Sequence, residues 1–310
     1  MFLVCGEALF DVFIGSETDN ALHLDARPGG SPFNVAIGLA RLGQPVAFLS
    51  GLAKDMLGER LARTLNREGV DTRPCPLIEA PTTLGMIEVD AAGVPHYAFY
   101  GNGAADRLLS AAQLPELGPE LCAIHLGSYA TVVEPVASAL ETLVRRERGR
   151  CLIAYDPNVR LNVEPSLERW RERADTLAGL AHLVKISDED LHLLYGETDE
   201  AALAGRWLAA GTKLVVVTRG ADGASAWNAQ GRADVPAPRV TTVDTVGAGD
   251  TFQAAMLSHL AETGRLDPAA LSSMDADALA RLLDFAARAA AITCARRGAD
   301  MPRRAELAMI

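Results

Sequence analysis

The sequence predicts an α/β fold: a mostly parallel sheet covered by helices on both faces, with a small separate β-element. Three observations carry this prediction. From residue 123 onward, short apolar runs alternate with amphipathic stretches, the pattern of βα units. At residues 240–264 an extended run, Val240 to Val243, reads as a strand leading into a glycine-rich turn, and apolar residues at helical spacing follow. Between residues 82 and 100 the alternation is that of a β-hairpin, which interrupts the βα series.

The bulk properties exclude several classes. The 310 residues suffice for one large α/β domain or two smaller ones. An apolar share of 49% and a charged share of 22% are ordinary for soluble proteins. A net charge of -11 argues against nucleic-acid or anionic-membrane partners. Cys5, Cys75, Cys122, Cys151 and Cys294 are odd in number, scattered and free of C-x-x-C spacing. They indicate neither a disulfide framework nor a zinc site, and a cytoplasmic home is expected. No run approaches transmembrane length, and the apolar start meets Gly6, Glu7 and Asp11 too soon for a signal peptide.

Taken in order, Phe2-Leu3-Val4-Cys5 reads as a buried strand. Asp11 is placed just past it, where open α/β sheets bind ligands, although an aspartate there can equally be a turn residue. Residues 12–27 read as short and turn-rich. Ser31 is expected to cap a helix, with Pro32 at its first position and Gly43 at its stop. That reading leaves Gly29, Gly30 and Asn34 unexplained, and glycines permit close backbone approach. The hairpin follows, with a turn at Ala91-Ala92-Gly93. Strands are predicted at 45–51, 123–128, 151–155, 183–186 and 214–218. Ser187-Asp188-Glu189-Asp190 is a capping pattern, and Thr218 to Gly223 turns the most clearly buried strand back on itself.

The chemistry concentrates at Gly247-Ala248-Gly249-Asp250. The first amides of a helix have no internal partner, and residues this small leave them open to a phosphate. A carboxylate at Asp250 is then repelled by the ligand it adjoins. It either takes a proton from an attacking hydroxyl or merely complements the helix dipole.

Whole motifs carry a resemblance. D-T-x-G-A-G-D at Asp244 to Asp250 resembles the second signature of the ribokinase/PfkB family of sugar kinases in every fixed position. Gly29-Gly30-Ser31-Pro32-Phe33-Asn34-Val35-Ala36 resembles its first signature, G-G-x-x-x-N-x-A. G-E-A-L-F-D at Gly6 to Asp11 is similar to the opening of bacterial fructokinases in that family, and Gly103 to Asp106 also resembles them. D-P-N-x-R recurs at Asp156 to Arg160. Ser187 and Asp190 stand where the family often has N-x-x-E.

The resemblance implies a ribokinase-like three-layer sandwich, with a core of residues 1–11, 28–81 and 102–310. A β lid of residues 12–27 and 82–101 would close over the sugar. It implies ATP-dependent phosphorylation of a primary hydroxyl, with D-fructose favoured. The alternatives are 2-keto-3-deoxygluconate, then a nucleoside or a non-catalytic sugar sensor. Asp250 would be the base, with Gly247, Ala248, Gly249 and Arg160 on the transferring phosphoryl. Asp11, Gly29, Gly30, Asn34 and Phe99 would meet the sugar, alongside Arg160 and Asp250. Lys185, Ser187, Thr218, Gly220, Gly223, Gly247 and Gly249 would serve the nucleotide. Mg²⁺ would be held through water by Asp190, and K⁺ near Asp244. A homodimer through the lid is implied as well.

Overall fold

The computed structural model describes residues 1–89 and 95–307, so the expected turn at 91–93 lies outside the described residues. The chain opens with β1 (Phe2–Cys5) and an antiparallel pair, β2 (Leu9–Thr18) and β3 (Ala21–Gly29). Helix α1 (Ser31–Arg41), β4 (Val46–Leu49), β5 (Leu52–Ala53), α2 (Met56–Arg67) and β6 (Leu77–Ile78) follow. A second hairpin comprises β7 (Leu84–Val89) and β8 (Pro95–Tyr100). Next come β9 (Ala123–Gly127), α3 (Val136–Glu147), β10 (Leu152–Asp156), α4 (Leu167–Leu180) and β11 (Leu183–Ser187). Helices α5 (Asp188–Tyr195) and α6 (Glu200–Ala210) precede β12 (Leu214–Thr218), β13 (Ala224–Asn228) and β14 (Gly231–Val235). The chain ends with α7 (Ala248–Glu262), α8 (Pro268–Ser272), α9 (Ala276–Cys294) and α10 (Arg304–Leu307).

Eight strands form the central sheet in the order β14-β13-β12-β11-β10-β9-β1-β4. It is parallel from β12 to β4, with β13 and β14 antiparallel at one edge. Buried on both faces, its inner strands are mainly apolar, with His125 in β9 and Lys185 in β11 as buried exceptions. In β1 the alternation still assigns sides. Phe2 and Val4 join the apolar cluster shared with α1, α2, α7 and α9. Leu3 and Cys5 join the one shared with α3 to α6. The result is the predicted three-layer arrangement, and among the described residues no helix is long and apolar enough to cross a membrane.

The second sheet has the order β3-β2-β7-β8. Its first hairpin runs from Leu9 to Gly29, wider than the predicted 12–27 and not turn-rich. Asp11 therefore lies inside strand β2, between Arg27 of β3 and Gly85 of β7, and not in a loop after β1. The reason is cross-strand pairing, which the mixed and largely exposed residues of β3 hide from a single-strand reading.

A further expectation fails at residues 240–243, which form no strand. The amides of Val243 and Asp244 donate to the Cys294 carbonyl at the end of α9, so no sheet ladder is needed there. Helix α9 starts at Ala276, where Asp275 caps it by accepting from the Ala278 amide.

Candidate active site

The C-terminal ends of the parallel strands share one edge of the sheet. Strand order reverses beside β1, with β4 on one side and β9 on the other, and such a switch point opens a ligand crevice. Glu7, Ser128, Asp156, Ser187 and Thr218 follow or close the strands along this edge.

Helix α7 begins there without a side-chain cap. Its N-cap is Gly247, at φ 77°, where an added Cβ would lie 2.6 Å from the Ala299 Cβ. Both facts exclude a larger residue. At Gly249 an added Cβ would lie 3.2 Å from Lys185 Nζ, so the ammonium sits against the turn. Lys185 is buried and donates to Asp156 Oδ2 at 2.8 Å. Burial opposes its charge, but the Asp156 carboxylate outweighs this, and the Lys185 pKa is raised. A buried cation thus lies against this turn, in which the Ala248 amide donates to the Thr245 carbonyl at 3.2 Å.

Asp250, in the first turn of α7, is 7% exposed. Ser31 Oγ donates to its Oδ1 at 2.6 Å, and Asn34 Nδ2 donates to its Oδ2 at 2.9 Å. Burial raises the Asp250 pKa; the Ser31 and Asn34 bonds and Lys185 oppose that rise. The predicted N-cap role of Ser31 is therefore wrong. Ser31 is the first helical residue, and Gly30 at φ 108° occupies the cap. An added Cβ at Gly30 would lie 2.8 Å from the Glu7 carbonyl oxygen, so no serine could stand there.

Asp11 reaches the same crevice from the small sheet. Burial raises its pKa to about 6, opposed by Arg160 and assisted by Asp250. Glycines make room for it: an added Cβ would lie 2.4 Å from Asp11 Oδ2 at Gly29 and 3.3 Å from Oδ1 at Gly85. Phe99 stands opposite Gly85, whose added Cβ would lie 3.1 Å from the Phe99 ring. Arg160 is exposed, donates to its own neighbour's carbonyl at Val159, and bears electrostatically on Glu7, Asp11 and Asp190.

The nucleotide-side candidates spread further along the edge. Ser187 accepts from the Asp190 amide and so caps α5. Asp190 Oδ1 accepts from the Val159 amide at 3.2 Å, and burial, then Asp156, raises its pKa to about 6. Thr218 stands beside Ser187 in register, and the Gly220–Gly223 turn follows it. Gly223 has a structural reason of its own, because an added Cβ would lie 2.0 Å from the Val235 carbonyl. Asp244 accepts from Val246 and Gly298 amides, tying the turn to the loop after α9.

Two groups escaped the sequence reading. Glu7 is buried, and burial raises its pKa to about 7 against a Ser128 hydrogen bond; its Oε2 has no partner among the described residues. His125 contacts Gln253 at 3.3 Å one turn below Asp250, and burial lowers its pKa to about 3. The D-P-N-x-R string contained Asp156, but only the sheet pairs it with Lys185. Asp106 accepts from Thr83 and Tyr129, anchoring the start of β7 to the end of β9.

Known proteins share this architecture. A fructokinase from Rhizobium leguminosarum bv. trifolii is 40% identical over 279 residues, 90% of this chain and 85% of that one. The crystal structure of a Xylella fastidiosa fructokinase with bound ATP aligns with a TM-score of 0.90 at 28% identity, over 99% of this chain and 97% of that one. A Vibrio cholerae fructokinase bound to fructose, ADP and calcium ion aligns with a TM-score of 0.83 at 25% identity, over 99% and 97%. The sequence profile of the pfkB family carbohydrate kinases matches residues 2–305, so the chain belongs to that family.

Proposed function

We propose that this enzyme is an ATP-dependent fructokinase that transfers the γ-phosphoryl group to the primary hydroxyl of D-fructose, giving fructose 6-phosphate. One observation carries the reading: a buried carboxylate, Asp250, sits one residue beyond an open amide turn and close enough to Asp11 to raise its pKa. The fructokinase relatives support the choice of sugar.

In this reading the sugar rests on Asp11, Gly29 and Gly30, against Phe99. Asn34 keeps its Oδ1 for a sugar hydroxyl while its Nδ2 holds Asp250. Asp250 takes the proton of the primary hydroxyl as that oxygen attacks the γ-phosphorus in line. The Gly247, Ala248 and Gly249 amides meet the charge that develops on the phosphoryl oxygens, with Lys185 beneath them and Arg160 at the rim. Closure of the small sheet would exclude water, the competing acceptor. Thr218, Gly220 and Gly223 would line the nucleotide side.

The residues present fit a divalent cation held through water. Asp190 feels the charge of Asp156, whose buried Oδ1 has no partner among the described residues. Asp190 would hold Mg²⁺, which when bound spreads the charge of the nucleotide phosphates. Asp244, already clipped to Gly298, would flank a K⁺ site. Exposed Leu22 and Leu24 on the small sheet support a homodimer through that sheet. The free cysteines fit a reducing compartment such as the cytoplasm.

The test is ATP-dependent ADP release with Mg²⁺, comparing D-fructose, 2-keto-3-deoxygluconate, ribose and adenosine. Preference for fructose is expected. Preference for the keto-acid would leave the phosphoryl-transfer machinery intact but reassign the sugar pocket.

A further inference from the structure

The first turn of α1 is built as a clamp on Asp250. Ser31 and Asn34 are three residues apart, so they share one face of the helix, and each donates to a different oxygen of the same carboxylate. Neither side chain serves its own helix. Gly30 is the N-cap, and no side chain bonds the first-turn amides of α1. The two helices are pressed together one turn further on, where an added Cβ at Gly38 would lie 2.7 Å from the Ala254 Cβ. Their relative register, and with it the clamp, is thereby fixed by close packing.

We propose that Ser31 is a positioning residue for phosphoryl transfer, holding Asp250 ionised and aimed at the acceptor hydroxyl. The inference rests on Asp250 being the base. A hydroxyl donating to a buried carboxylate favours the ionised form, and with both oxygens gripped the side chain cannot rotate away. Each oxygen keeps a second lone pair, so one can still accept the sugar proton. The charged groups that bear on Asp250 are Lys185 from β11, Asp156 from β10 and Asp11 from β2. Ser31 and Asn34 are the neutral donors beside them, and losing the Ser31 hydroxyl leaves the balance of charges unchanged while removing one of the two hydrogen bonds that stabilise the carboxylate.

The experiment compares wild type, Ser31→Ala and Ser31→Thr in steady-state turnover of fructose and MgATP across pH, with melting temperatures as the folding control. Ser31→Ala is expected to lower kcat about tenfold, the size of one lost hydrogen bond to a charged group, with the fructose KM little changed. The acid limb of its kcat profile should move up by about half a pH unit or more, because the base is harder to ionise. Ser31→Thr, which keeps the hydroxyl, should restore both. An unchanged kcat and acid limb in Ser31→Ala would overturn the proposal. So would a raised fructose KM at unchanged kcat, which would make Ser31 a sugar ligand. A folded Ser31→Thr as impaired as Ser31→Ala would also overturn it, since shape and not the hydroxyl would matter. A titration of the Asp250 carboxyl carbon by NMR, assigned by its loss in Asp250→Asn, needs no turnover. It should show a higher pKa in Ser31→Ala, and an unchanged one would overturn the clamp even if wild type proved inactive on fructose.

Discussion

Among the described residues, eight of the ten α-helices start in one of two ways. Helices α2, α4, α5, α6, α8 and α9 each begin with a side chain, from Asp55, Ser166, Ser187, Asp199, Asp267 and Asp275, that accepts from their own first-turn amides. Helices α1 and α7 begin on glycines with positive φ, and no side chain caps either. Helix α3, entered through Pro135, is likewise without a side-chain cap but lies away from Asp250. A side-chain cap is worth about 1 kcal/mol, so α1 and α7 forgo local stability that neighbouring helices keep. What replaces it differs between the two. Helix α7 offers open amides and Asp250; α1 offers Ser31 and Asn34 to that carboxylate. The lesson is that an uncapped start matters where a second uncapped start faces it.

The comparison breaks most visibly at Asp250. Asp250→Asn should lower kcat by about 10²–10⁴-fold, the usual contribution of a general base, while fructose still binds; turnover together with sugar binding by calorimetry checks both. Next in size is Gly247→Ala. It forces a side chain into left-handed backbone, a cost of about 1–2 kcal/mol, and drives its Cβ against Ala299. Lower thermal stability and a raised KM for ATP are expected, and a variant with wild-type values of both would show that the turn tolerates bulk.

Glu7 tests the support beneath Gly30. Its folded pKa, about 7, lies above the ordinary carboxylate value, so the folded state holds the proton more tightly. Stability from this group is therefore greatest at low pH and is lost as pH rises from roughly 4.5 through about 7. Glu7→Gln should flatten the fall in melting temperature between about pH 5 and 8, by on the order of 2 kcal/mol at the alkaline end. An unaltered slope would place the titration elsewhere. The smallest effect belongs to the capped group. Asp275→Ala should cost about 1 kcal/mol of stability and leave kcat and both KM values unchanged. A clear loss of activity there would blur the distinction between the two kinds of helix start.

Much of this was legible in one dimension, and the reasons are local. A parallel strand covered on both faces favours a continuous apolar run such as residues 214–217, and α7 carries apolar residues at helical spacing. Gly247 and Gly30 are needed for backbone geometry that only glycine adopts without strain, so they are visible as letters. The pairing of two glycine signatures in order was enough to identify the family and to point at Asp250. Residues whose significance depends on a distant partner were not legible. Ser31 carries the letter of a helix cap, and only the packing of α1 against α7 hands its hydroxyl to a carboxylate 219 positions away. Lys185 is an isolated lysine until the sheet sets it beside Asp156. Asp11 looks like a turn residue until β3 and β7 flank it. Sequence by itself determined the periodicities, the glycine positions and hence the fold and its chemistry. The tertiary structure alone decided which polar side chains share a buried carboxylate, because hydrogen-bond partners are chosen by proximity in space and leave no period in the chain.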